Sequence, residues 1–339
     1  MTRALALVAL ALITLAGCGS TAPAAPASSS SASASAAAAA VKMAHKYGET
    51  TIPAAPKRVV TVGLLEQDTL LALGVTPVAT TTWIGDYPGA IGPWAKDKLG
   101  TAALPRVLKD TGSGPQFEKI AALKPDLILA LYSGLTQEQY ATLSKIAPTV
   151  AQPKEYIDYG IPWQELTRKV GIAVGRAAEA DQLVKQVEDR FAKARTEHPE
   201  FQGQTALMAT VYEGYFVFGS QDPRSRMLAS LGFKLPDGLD QAIGDKFGAN
   251  ISRERLDLVD TGVIVWSSAD VAKDQGTLHA DSVYKGLGVV KEGREVFLQE
   301  NTDQGNAVSF VTVLSLPYVL DHLVPRLVAA ADGDPATKA

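Results

Sequence analysis

Cysteine is nearly absent. The 339-residue chain has one, Cys18, which excludes a disulfide scaffold, a CxxC redox pair and a cysteine-based zinc site. Histidine is scarce too. His45, His198, His279 and His322 are scattered with no HExxH and no close pair, so they read as surface or capping residues and no metal site is expected. Positive charge is not in excess: 32 Lys and Arg against 36 Asp and Glu give a net −4. That argues against a nucleic-acid-binding face. There is no GxSxG, no GxxxxGK[ST] and no GxGxxG after a strand, so no catalytic or nucleotide signature supports an enzyme. What is present is length for two globular units at ~100–200 residues each, and 46 % hydrophobic residues with which to build cores.

The first residues read as an address. Arg3 precedes an apolar run from Ala4 to Leu15, too short for a membrane helix of ~20 residues and suited to a signal-peptide core. The run ends in Leu15-Ala16-Gly17-Cys18, which resembles the lipobox of bacterial lipoproteins. The resemblance implies cleavage after residue 17 and lipidation of Cys18; the alternative is an ordinary secretory signal with a stray cysteine. Losing Arg3 would leave the mature chain one charge more negative. Residues 19–40 are almost entirely Ser, Ala, Thr and Pro, a composition that cannot bury enough surface to fold. A tether over 18–44 is expected, and no later segment is apolar enough to span a bilayer.

From there the pattern is globular. RVVTVG (58–63) is a buried-strand run. A short helix over Gln67–Leu73 ends at Gly74, PVAT follows as a strand, and residues 82–115 form a long loop region with Trp83, Tyr87 and Trp94. A short helix, a turn at Lys124-Pro125 and a strand over 127–131 come next, then the helix TQEQYATLSKIA and the strand TVA. Alternation of this kind predicts a mostly parallel, doubly wound sheet. Residues 162–198 are the longest helical stretch, broken at Gly175. Trp163, Leu166, Val170 and Val174 make one stripe, with Trp163 assigned to the helix–lobe core. Ala177, Ala180, Leu183, Val184, Val187, Phe191 and Ala194 continue at helical spacing, enough to span ~30 Å. A second βα region follows. TALMATVYEGYFVFG gives strands around a Glu213-Gly214 turn. ISRERLDLVDTGVIVWSS is helix plus strand, REVFLQ is a strand, and SLPYVLDHLVPRLVAA is a closing helix.

One internal correspondence stands out. Glu118 is followed by Ile120, Leu123 and Ile128, and Glu254 by Leu256, Val259 and Ile264, at identical offsets. Each glutamate starts a short helix feeding a buried strand, and each strand opens into a small-residue loop, Tyr132-Ser133-Gly134 and Trp266-Ser267-Ser268. The fold class expected is α/β: two doubly wound α/β lobes joined by one long helix. The boundaries are 45–160 for the first lobe, 161–199 for the connecting segment and 200–331 for the second lobe with its final helix. Ligands of open α/β sheets bind outside the carboxyl ends of the strands, so both loops are expected to face one cleft.

Across about 45–331 the chain resembles the substrate-binding proteins of ABC importers whose two lobes share one rigid helix, the class that carries ferric siderophores, haem or cobalamin. The stretches that carry the likeness are PKRVVTVG, EQDTLLALGVTPVA, FEKIAALKPDLILA, ISRERLDLVDTGVIVW and LSLPYVLDHLVPRL. GPWAKDKLG and DPRSRMLASLGF point to the ferric citrate/hydroxamate-binding type. The resemblance implies a monomeric lipoprotein on the outer face of the cytoplasmic membrane. It would capture an Fe(III)-siderophore complex, with no covalently bound cofactor and no nucleic acid, and deliver it to an ABC permease and ATPase. A haem or cobalamin receptor of the same fold, or a ligand-free envelope scaffold, are the alternatives.

By the resemblance, Glu118 and Glu254 dock on permease arginines; as first-turn carboxylates they also complement a helix dipole. The expected ligand-binding aromatics are Trp83, Tyr87, Trp94, Tyr132, Tyr212, Tyr215, Phe247 and Trp266, placed at strand ends or in loops where flat rings suit a bulky chelate, with core packing as the alternative for each. Tyr132 matches a family tyrosine that contacts the siderophore. Arg224, Arg226 and Lys109 are the expected cations, because citrates and catecholates carry negative charge that a bidentate Arg matches; the alternative is a solvated surface Arg. Some relatives carry an arginine just before the segment matching GPQFEKI. Here that neighbourhood reads Gly112-Ser113-Gly114, which weakens a hydroxamate specificity like theirs.

Overall fold

Unbroken apolar runs such as Val59-Val60 and Leu127-Ile128-Leu129 cannot alternate between core and water, so they need cover on both faces. The computed structural model, which describes residues 40–53, 56–82, 84–109 and 114–337, gives them that cover. The signal segment, Cys18, Trp83 and residues 110–113 lie outside the described residues. A hairpin of β1 (Val41–His45) and β2 (Gly48–Ile52) leads into β3 (Val59–Thr61), α1 (Glu66–Ala72), β4 (Ala79–Thr82) and the single turn α2 (Lys96–Leu99). Then come β5 (Arg106–Lys109), α3 (Phe117–Ala122), β6 (Leu127–Ala130), α4 (Gln137–Ser144) and β7 (Thr149–Ala151). The sheet order is β5-β4-β3-β6-β7, every pair parallel. The chain starts at the central strand and winds outward both ways, which puts a switch point between β3 and β6. The hairpin adds to this lobe: Met43 and Ile52 enter its core, and the Lys46 N–H donates to the Gln152 carbonyl at 2.9 Å. A strand therefore starts at Val41, inside the stretch 18–44 expected to be tether. The alternation Val41-Lys42-Met43-Ala44-His45 is the strand signal that the flanking alanines obscure.

Two helices follow, α5 (Trp163–Ala173) and α6 (Ala177–Glu197), with Gly175 in the left-handed region at φ 70° between them. Gly171 lets them pack closely, since a Cβ there would lie 2.4 Å from the Ala180 Cβ. The second lobe comprises β8 (Ala206–Val211), β9 (Tyr215–Phe218), α7 (Pro223–Ser230), α8 (Leu239–Ile243) and β10 (Gly248–Ile251). After a 3-10 turn over Arg253–Val259 it continues with β11 (Val263–Ser268), α9 (Val271–Ala280), α10 (Gly288–Lys291), β12 (Glu295–Gln299), α11 (Asp303–Phe310) and α12 (Ser315–Ala331). Its order, β10-β9-β8-β11-β12, repeats the first sheet with one difference: β9 runs antiparallel to both β8 and β10. The three-residue turn over 212–214 reverses β9 against β8, because a connection this short joins only antiparallel strands. The Glu118 and Glu254 segments feed β6 and β11, which hold the same place in their sheets.

α6 joins the lobes. Ala180 lies in the first lobe's core, while Val184, Val187, Phe191 and Ala194 lie in the second's. Full burial of the larger three stabilises by roughly 1.5–3 kcal/mol each, so the helix cannot leave either lobe cheaply. A second tie is polar. Asp68 on α1 is fully buried; its Oδ2 accepts from the Trp94 Nε1–H at 2.8 Å and from the Thr312 hydroxyl at 2.5 Å, at the corner between α11 and α12. Burial pushes its carboxyl up to about 6.

This gives a pH signature. An acid whose folded pKa lies above its unfolded value binds more protons when folded, so stability falls as pH rises between the two. For Asp68 the window runs from 3.8 to about 6, and buried Glu66 on the same helix, also raised by desolvation, acts in the same sense. Asp68→Asn keeps an acceptor for Trp94 and Thr312 but cannot titrate. Urea denaturation across that window should show a slope in the wild type that the variant flattens by about 2–3 kcal/mol. Parallel curves would remove Asp68 as the titrating tie.

Candidate functional site

The carboxyl ends of β3, β4, β5 and β6 open into a concavity of ≈ 200 Å³ whose wall includes Val62, Thr81, Leu108, Lys109, Gln116, Ser133, Gln139 and Tyr159. A second groove of ≈ 450 Å³ runs between the lobes, with Lys46 and Tyr156–Tyr159 on one side and Asp245, Lys246 and Phe247 on the other. Tyr159 lines both, so the two form one continuous cleft.

Its floor is set from below by Glu66. This buried carboxylate at the switch point accepts from the Leu131 N–H at 2.6 Å, the Tyr132 N–H at 3.0 Å and the Leu65 N–H at 3.1 Å. Gly63 must be a glycine, since a Cβ would lie 1.9 Å from Glu66 Oε1. The chain leaving β6 is thereby held, and with it Tyr132, which is 5 % exposed. Burial, with the Asp222 charge second, keeps its phenol protonated well above the ordinary range. The Tyr132 ring meets Tyr159 edge-on at 5.5 Å. Tyr159 adopts φ 61°, a strained value for a bulky residue, while its N–H donates to the Ser133 carbonyl at 3.3 Å.

Near Tyr132 lies the first turn of α7, whose Asp222 and Arg224 charges act on the phenol. Asp222 caps that helix, accepting from the Arg224 N–H at 2.9 Å. The same carboxylate takes the Arg224 guanidinium in a fork, Nε at 2.8 Å and Nη2 at 2.7 Å. The guanidinium carbon lies 3.6 Å from the centre of the Phe218 ring. Arg226, two residues on, donates to the Gly160 carbonyl across the lobe boundary and lies 5.9 Å from the Tyr156 ring.

Of the expected residues, Lys109 lines the first concavity and Phe247 the inter-lobe groove, with a ring contact to Phe216 at 5.9 Å; Tyr132, Arg224 and Arg226 stand beside these walls, through the Tyr132–Tyr159 ring contact and the Arg226–Gly160 bond. Tyr212 is 60 % exposed at the β8–β9 turn and touches Phe216. Three others need correction. Trp266 is fully buried, its Nε1–H donating to the Tyr284 hydroxyl at 2.9 Å, because alternation along β11 turns it with Ile264 into the second lobe's core. Tyr215 belongs to the same core and donates to Asp281 at 3.0 Å. Trp94 is held by Asp68 and packs on Phe310 at 5.1 Å. The half-buried Tyr87, in the loop after β4, bridges to the second lobe: its hydroxyl donates to Asp303 at 3.2 Å and accepts from Asn306 at 2.8 Å. The segment Trp266-Ser267-Ser268 does not open into the cleft: both serines are buried, with hydroxyls donating to Glu300 and Asp274. Tyr156, Tyr159 and Lys46 were missed. The Tyr pair sits in a Pro- and Gly-bounded loop directly after β7, the strand-end position that singled out Tyr132.

Glu118 and Glu254 are exposed on the first turns of α3 and of the 253–259 turn, with no ion-pair partner among the described residues. Among those residues no group of three or more His, Cys, Asp or Glu side chains converges, and no single helix is long and apolar enough to cross a membrane.

The family model described as "Periplasmic binding protein" matches residues 59–302. A periplasmic solute binding protein from Mycobacterium smegmatis superposes with a TM-score of 0.74 and 36 % identity, over 86 % of this chain and 99 % of that one. The iron-uptake substrate-binding protein PiaA of Streptococcus pneumoniae, in complex with ferrichrome, gives 0.76 and 28 %, over 86 % and 99 %. The putative ABC transporter substrate-binding lipoprotein YhfQ of Bacillus subtilis is 27 % identical over 288 residues, 79 % of this chain and 86 % of that relative.

Tyr159 depends on Gly134, where a Cβ would come 2.9 Å from its ring. Gly134→Val should displace the ring and lower stability by about 1–3 kcal/mol, read by urea denaturation, with a change in near-ultraviolet circular dichroism from the tyrosine pair. An unchanged spectrum would mean that the ring is not seated on this glycine.

Proposed function

The chain belongs to the periplasmic binding protein family, and on that premise we propose that it captures a ferric siderophore non-covalently in the cleft between its lobes for an ABC importer. The observation that carries the reading is the meeting of Tyr132, Tyr159 and the Arg224 and Arg226 turn across the carboxyl edge of the first sheet. Rings offer flat apolar area to a chelator's rim, and hydroxyl and guanidinium groups can bond its oxygens. Iron arrives wrapped, so the protein needs no ligand set of its own. The family resemblance supports a handover in which the exposed Glu118 and Glu254, one on each lobe, meet basic groups of a permease. A lipid on Cys18 would hold the receptor near that permease at high effective concentration. α6, rooted in both cores, favours small lobe movements over wide closure.

Fluorescence titration of the purified protein tests capture. Saturable quenching by one ferric siderophore, and not by its iron-free form or by free Fe³⁺, is expected. A response to haem or cobalamin alone would change the cargo, and silence from a folded sample would overturn the reading. Glu118→Ala with Glu254→Ala should leave that affinity within about twofold, since both lie outside the cleft. Cellular uptake should fall by at least about tenfold, the equivalent of 1.4 kcal/mol of lost docking. Unchanged uptake would remove both residues from docking.

A further inference from the structure

In an all-parallel sheet every strand starts on one edge, so the residues that lead into the strands gather there whatever their distance in sequence. In the first lobe this is the edge opposite the cleft. Lys57 and Arg58 lead into β3, Lys124 into β6 and Lys145 into β7, and Arg106 begins β5. All five are exposed, and none has an ion-pair partner among the described residues. The only acid in the four residues leading into each strand is Asp126, which accepts from the Lys57 and Arg58 N–H groups at 2.8 Å each. The Arg58 guanidinium is held by carbonyls, its Nε donating to Leu123 at 3.1 Å and Lys124 at 3.0 Å. That fixes the charge at the edge without neutralising it. Strands lie ~4.8 Å apart, so the row is about 20 Å long, and its neighbours act together within a Debye length of ~10 Å. Leu104, two residues before Arg106, adds an apolar side chain that is 56 % exposed. The second sheet shows no such excess. Asp260 leads into β11, and Lys291, Glu292 and Arg294 lead into β12, which begins with Glu295; Arg294 pairs with Glu292 at 2.9 Å.

We propose that this basic edge is a contact surface for an anionic bilayer, its cations set against lipid phosphates and Leu104 at the depth of the headgroups. The chain as a whole is acidic, at net −4, so general charge attraction is excluded and the local row has to supply it. Where the chain enters the lobe favours a membrane over a soluble acidic partner. Val41 pairs with Ile52, and Lys57 lies five residues beyond Ile52, ~17 Å away at full extension. The segment that bears Cys18 therefore joins the lobe within reach of this edge. With the edge on the membrane, the cleft on the opposite edge faces the medium, a posture for loading; handover to a permease would need the lobe to turn over. That orientation rests on the lipid-anchored import reading above, whereas the contact itself does not need a lipid on the protein.

The experiment is co-sedimentation of the full chain, carrying Cys18→Ser, with phosphatidylcholine vesicles made with and without phosphatidylglycerol. Taking the ratio cancels any insertion by the apolar run Ala4–Leu15, which is common to both. The phosphatidylglycerol vesicles should bind at least about tenfold more tightly, and added salt should erode the preference. Lys57→Gln, Lys124→Gln and Lys145→Gln together should cut the preference at least about tenfold. These three ammonium groups make no bond within the fold, so the variant should fold as the wild type does. Lys185→Gln, Lys193→Gln and Lys273→Gln, on α6 and α9, change the net charge equally and should leave the preference within about twofold. Leu104→Ser should weaken binding to the charged vesicles at least about threefold. No preference for phosphatidylglycerol, or an equal loss in both triple variants, would overturn the proposal. The edge variant should still bind a ferric siderophore with wild-type affinity to within about twofold, so this inference and the capture reading fail separately.

Discussion

The structure depends on one helix whose apolar side chains enter two different cores. Ala180 packs in the first lobe, and four residues later Val184 begins the stretch that packs in the second. The cores of two sheets are thus fixed to one rod about 30 Å long. A hinge made of extended strands could bend by changing a few dihedrals; this one would have to break helix hydrogen bonds or withdraw Phe191 from a packed interior. The cleft geometry is therefore largely preformed, which favours binding a rigid chelate by complementarity.

The polar groups of α1 act beneath that frame. Glu66 and Asp68 are adjacent acids on the same helix, both fully buried, and face different tasks. Glu66 gathers the N–H groups after β6 and so positions Tyr132. Asp68 gathers Trp94 and Thr312 and so seals the lobes behind the cleft. A buried carboxylate is costly unless it is well bonded. Each is bonded to groups whose placement matters to the cleft, so the same helix carries both the floor of the site and the closure at its back.

Beside the cleft, aromatic rings stand next to an ion pair. The rings are Tyr132 and Tyr159, and the pair is Asp222 with Arg224. Arg224 had been expected as the partner of an anionic chelate. Asp222, two residues before it, holds its guanidinium in a fork within the same helical turn.

Much of the architecture was legible in the residues. Both connecting helices with their break at Gly175, most strands of both sheets (β5, inside the stretch read as a long loop, and β10 excepted), and the matched Glu118 and Glu254 segments follow from periodicities that local chemistry imposes. What sequence could not decide is which way a strand-end aromatic turns. Trp266 and Tyr132 both follow apolar runs before small residues, yet one enters a core and the other the cleft, because register against neighbouring strands and the pull of Glu66 decide the face. Nor could it reveal Asp68, whose partners lie 26 and 244 residues away, or Tyr156 and Tyr159, which become cleft residues only when the second lobe brings Phe247 opposite them. Local chemistry sets most of the elements, their order and their apolar stripes, since these rest on contacts between near neighbours. Only the tertiary structure decided which polar groups would meet, because burial, and with it the strength of each charge and hydrogen bond, is a property of the assembled lobes.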